Sequence, residues 1–170
     1  RRWNTADASG REGYRWNTFV FELRSGDEVR PLERVEIVLN RDTKTATYKL
    51  ALFRALSEIG TKEYRWARWP GQDEVAIPID RIAEKWLKYY WPIFESEQFI
   101  PQNNGETPDC SKPITFRRSL TDLVRRYADL GGLSQFMMDV RSGALPDNAV
   151  TEYRAAMTDI RRAIRTGPVE

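Results

Sequence analysis

The sequence predicts a mainly α-helical protein: a single globular domain of about six helices with a few short strands. Three observations carry this. Apolar residues recur at helical spacing in two strong segments, 45–59 and 79–93, and in three shorter ones after residue 115. The breaks between these segments carry Gly, Pro and Asn, which end helices and form turns. At 170 residues and 41% hydrophobic composition, the chain can bury one sizeable core.

Residues 1–18 are polar and read as a flexible arm in which Arg-Trp-Asn-Thr occurs twice, at 2–5 and 15–18. The repeat is either a pair of aromatic-basic hooks or coincidence. The helical domain spans 19–166. Ser25-Gly26-Asp27 turns the chain, and Pro31 opens a helix to about Leu39, since Pro is tolerated in a first turn. On the next helix Tyr48, Ala51, Leu52, Ala55, Leu56 and Ile59 share a face opposite Arg54, Ser57 and Glu58. Asp42, Thr43 or Thr45 is expected to cap its start and Gly60 to end it.

Residues 75–78 form a predicted short strand. From Ile79 an apolar face of Ile82, Ala83, Trp86, Leu87, Tyr89, Tyr90 and Ile93 opposes a solvated face of Arg81, Glu84, Lys85 and Lys88. Trp91-Pro92 is expected to stop or kink this helix. The helix, strand, helix order also allows a winged-helix-like element within 45–94. Residues 98–115 form a long internal loop containing Cys110. Three helices close the domain, lined by Leu120, Leu123, Val124, Tyr127 and Leu130, then by Leu133, Phe136, Met137 and Val140, then by Val150, Tyr153, Met157, Ile160 and Ile164.

Composition excludes several function classes. The chain has no histidine, so Ser-His-Asp or Cys-His catalysis and histidine-bearing metal sites cannot be built from its residues. A carboxylate-and-lysine nuclease site drawn from Asp73, Glu84 and Lys85 lacks the strand-borne arrangement such chemistry needs. No Gly-rich phosphate loop is present. No catalytic residue, metal or cofactor is therefore expected. The single Cys110 rules out an internal disulfide and fits a reducing, cytoplasmic location. No apolar run approaches the roughly 18 residues that cross a bilayer, so no membrane partner is expected. The net charge of +2 gives no global argument for a polyanion partner, and any such footprint must come from local clusters.

Three clusters are candidates. Lys49, at the edge of an apolar face, either snorkels over the core or joins Lys44 at a helix N-terminus that favours anions. The segment Tyr64-Arg65-Trp66-Ala67-Arg68-Trp69 alternates Arg with Trp; Arg65 and Arg68 suit phosphates and Trp66 and Trp69 suit base stacking, or the tryptophans pack on the core. Arg154, Arg161 and Arg165 fall on one stripe of the last helix, spanning about 16 Å, the reach of a few backbone phosphates. An acidic protein surface satisfies the same stripe. By contrast, Arg118, Arg125 and Arg126 share a face with Asp122 and Asp129, so local ion pairs account for them.

Four motifs in this order carry a family resemblance: Thr45 through Leu56, Val75 through Tyr-Tyr-Trp-Pro at 89–92, Gly131-Gly132-Leu133-Ser134-Gln135-Phe136, and Leu145-Pro146 followed by Tyr153-Arg154. Together, over about 30–168, they resemble the N-terminal, non-catalytic region of bacterial HNH-type endonucleases of restriction and phage-defence systems. The resemblance implies a domain that binds or positions DNA ahead of a nuclease module whose histidines do the cutting. It also leaves open a docking, regulatory or oligomerisation role, with the C-terminal nuclease domain of the parent chain or a second copy as partner.

Overall fold

The computed structural model describes residues 46–71, 74–109 and 111–167. Among them five α-helices form: α1 (Tyr48–Lys62), α2 (Ile79–Glu95), α3 (Arg117–Tyr127), α4 (Gly132–Ser142) and α5 (Asp147–Thr166). Short 3-10 turns follow α1 at Tyr64–Trp66 and α3 at Ala128–Leu130. The mainly helical single domain read from the sequence is what forms. The predicted arm, the 31–39 helix, Lys44, Asp73 and Cys110 lie outside the described residues.

The periodicity that predicts each helix also sets its packing. α2 lies centrally and packs against α1, α3 and α5, while α5 also covers α3. Trp86 and Trp91 are fully buried on α2, although they lie on different sides of its apolar arc. Around Trp86 gather Tyr48, Tyr90 and Phe116, with centroids 5.5 Å from Tyr48 and 6.1 Å from Phe116. Around Trp91 gather Phe136, stacked at 5.0 Å, and Tyr127. Each such side chain contributes on the order of 2–3 kcal/mol through burial, so the aromatic stripe of α2 is the core's main tie.

Element ends differ from expectation. Gly60 does not end α1, which runs on to Lys62 and stops where Glu63 leaves helical geometry. Thr47 holds the N-cap position, and its hydroxyl bonds Tyr90 (2.7 Å) and Gln102 (3.0 Å) instead of the helix, while the expected caps Asp42, Thr43 and Thr45 lie outside the described residues. Pro92 does not stop α2, which continues to Glu95. Pro92 sits on the exposed side, where water can reach the carbonyl that its missing N–H leaves unbonded. In place of a regular strand at 75–78, Ala76 forms an isolated bridge with Arg68, and Ala46 pairs likewise with Asn103. Without a sheet among the described residues there is no wing, so the winged-helix alternative within 45–94 does not form. Leu130, expected in the core, is 57% exposed.

The long loop is tied down by a buried carboxylate. Glu106 accepts hydrogen bonds from the backbone N–H groups of Gln102 (2.5 Å) and Ile114 (3.2 Å), and pairs with buried Arg117. Arg117 also donates to the carbonyl of Ile100 (2.8 Å). One ion pair thus joins both ends of the loop to the start of α3.

Candidate functional site

The site begins with a lysine the helical wheel puts in solvent. Lys85 is only 8% exposed, because its ammonium donates to Glu58 of α1 (3.1 Å) and to Glu63 at the α1 end (2.8 Å). Burial alone lowers a lysine's pKa, but the two carboxylates outweigh it and raise Lys85 above its ordinary value. The same contact outweighs burial at Glu58 and holds its carboxyl below the usual range. This clamp fixes Glu63, and the 3-10 turn that follows lays Arg65 and Trp66 beside α2.

There Trp66 meets Arg81, whose guanidinium lies 3.8 Å from the ring centroid. Arg81 also donates to Glu84 at 3.0 Å, which holds the guanidinium over the ring. Arg65 approaches the same ring at 5.6 Å. The backbone bridge between Arg68 and Ala76, with N···O distances of 2.9 and 2.7 Å, closes the connection and brings the chain back into α2.

Between this turn, α2, α4 and α5 lies an open cleft of about 410 Å³. Arg65, Arg81, Lys88 and Arg141 line it, against Glu63 and Glu84. Both carboxylates are already engaged, Glu63 by Lys85 and Glu84 by Arg81. Arg65, Lys88 and Arg141 have no carboxylate partner among the described residues. The cleft is therefore cationic although the whole chain is nearly neutral, and its low-dielectric walls strengthen the attraction for an anion. Tyr153 of α5 completes the lining, and burial pushes its phenol pKa up, so it presents a neutral hydroxyl.

The predicted residues divide. Arg65 and Trp66 line the cleft, whereas Lys49, Arg68, Trp69, Arg154, Arg161 and Arg165 do not. Trp69 is 65% exposed and Trp66 is partly buried. The α5 stripe is not the row of unneutralised charges expected. Arg161 donates to Asp80 in the first turn of α2 (2.5 Å), and Arg165 is engaged as well, as are Lys49 and Arg68. Arg154 remains exposed and without a carboxylate partner among the described residues.

Arg81, Lys88 and Arg141 are cleft residues that sequence reasoning missed. A signal existed: Arg81, Glu84 and Lys88 are spaced i, i+3, i+7 and form one stripe of α2. The expected local pairing on α3 also fails, since Arg126 pairs across helices with Glu152 of α5. Among the described residues no group of three or more His, Cys, Asp or Glu side chains could hold a metal ion. No helix among them is long and apolar enough to cross a membrane.

A family model described as Domain of unknown function (DUF8808) matches residues 28–170. No curated protein and no solved structure matches the chain.

Proposed function

Because the chain belongs to the DUF8808 family, whose description assigns no function, we propose a role from its surface: a non-catalytic domain that binds or positions DNA. The observation that carries this reading is the trio Arg65, Lys88 and Arg141, three cations without carboxylate partners around one cleft. Phosphate oxygens are the ligand that such a set of cations suits, and Trp66 adds an aromatic edge. The sequence resemblance to the N-terminal region of HNH-type endonucleases supports the same reading, with cutting left to histidines in another module of a restriction or defence nuclease.

Replacing Arg65, Lys88 and Arg141 together with Ala tests this in a direct binding titration with duplex DNA at low salt. Affinity is expected to fall at least about tenfold, since three phosphate contacts are lost. Unchanged affinity sinks the reading. A docking role rests on exposed apolar side chains instead, Leu130 before α4 and Met138 within it, 57% and 61% exposed. Failure to bind DNA, together with capture of the histidine-bearing nuclease module by wild-type protein but not by Leu130→Ser/Met138→Ser, favours docking instead.

A further inference from the structure

The floor of the cleft is apolar, which contacts to a phosphate backbone do not require. Leu87 and Phe136, 2% and 1% exposed, line it together with partly buried Met137 and Val140. Phe136 is itself held by Trp91 and Tyr127, so the floor is the outer face of an aromatic core. At about 410 Å³ the cleft has the volume of a pocket for a small organic group. Its polar groups are the Glu63 and Glu84 carboxylates, the Tyr153 hydroxyl and the cations Arg65, Arg81, Lys88 and Arg141.

One wall is a flat cation. The Arg81 guanidinium lies over Trp66 and is fixed there by Glu84, so it is a planar surface already ordered before any ligand arrives. Nucleobases stack on arginine planes and aromatic rings alike, and an ordered platform spares the entropy of assembling one. Resting on the DNA reading above, we infer that the cleft receives the base of an unpaired nucleotide. Arg65, Lys88 and Arg141 hold the flanking phosphates, and the base enters edgewise over Leu87 and Phe136. A base stacked and paired within a duplex cannot offer its face to Arg81. The site therefore selects single-stranded DNA, or a base displaced from its duplex, over paired DNA.

Fluorescence anisotropy with the full chain tests this at one fixed salt concentration. The probes are a short single strand, a fully paired duplex and the same duplex carrying one unpaired nucleotide. The two probes with unpaired bases are expected to bind at least about tenfold more tightly than the paired duplex. Val140→Trp, which fills the cleft, and Trp66→Ala, which removes the support beneath Arg81, are each expected to erase that preference. Should Val140→Trp fail to fold, Trp66→Ala on the surface turn decides alone. Equal, measurable affinity for all three probes overturns the base pocket and leaves the DNA reading standing. Absence of binding to every probe overturns both.

Discussion

Glu106 and Arg117 show how one residue pair sets a stretch that reads as loop. The Glu106 side chain is fully buried and its partner nearly so. Burial alone raises the carboxyl's pKa, but the bond from Arg117 and the backbone N–H groups of Gln102 and Ile114 outweigh it and hold it below the usual carboxylate range. A depressed folded pKa contributes stability that is present above the unfolded value and is lost as pH falls through the folded one. Glu106→Gln leaves Arg117 buried without its counter-charge and is expected to destabilise the fold by about 3–5 kcal/mol near neutral pH. Urea unfolding checks the size, and the variant's acid unfolding should be shallower than wild type's below about pH 4.5. A loss under about 1 kcal/mol would mean the loop is held by other contacts. The pair was not legible in the sequence. Glu106 lies among prolines and glycines with no periodicity to show that it faces inward, and Arg117 opens α3 beside a second arginine that is exposed.

At the scale of elements, helical periodicity placed the apolar faces of α1, α2, α3 and α5 correctly, because burial follows the wheel wherever a helix packs on one side. It failed at ends and at Lys85. Gly60 and Gly131 look alike in sequence, yet Gly60 sits within α1 while Gly131 carries φ 111° between the 3-10 turn and α4. What separates them is the path the chain must take afterwards, which is tertiary. Gly131→Ala is therefore expected to cost about 1–2 kcal/mol, measurable by thermal unfolding. Gly60→Ala is expected to be neutral or stabilising, since a Cβ there meets nothing within 4 Å. Lys85 sits on the wheel's polar face, and its partners Glu58 and Glu63 come from another helix. Lys85→Met is expected to free the Glu63 end and cost about 1.5–3 kcal/mol. Because the folded pKa of Lys85 is raised above 10.5, the stability it contributes is complete below that value and lost as pH rises through the folded one. Alkaline unfolding of wild type and Lys85→Met should thus converge at high pH; parallel curves would contradict the clamp.

For the whole molecule, a net charge of +2 conceals segregation. Carboxylates pair with Lys85, Arg81, Arg117, Arg126 and Arg161, while Arg65, Lys88 and Arg141 line one cleft without such partners among the described residues. The interleaved Arg and Trp of 64–69 pointed to part of that cleft. Arg81, Lys88 and Arg141 join it only because α2 and α4 meet there, and Arg161 leaves it because Asp80 happens to begin α2. Periodicity shows the α5 stripe but not that Arg161 within it is paired with Asp80 of another helix.

The most direct measurement of the central claim is the salt dependence of duplex binding by wild-type chain and by the Arg65→Ala/Lys88→Ala/Arg141→Ala variant. The logarithm of the wild-type binding constant is expected to fall linearly with the logarithm of salt concentration, and the variant's slope to be shallower by about 0.9 for each phosphate contact removed. Identical slopes for the two proteins, or no wild-type binding at about 50 mM salt, would contradict it.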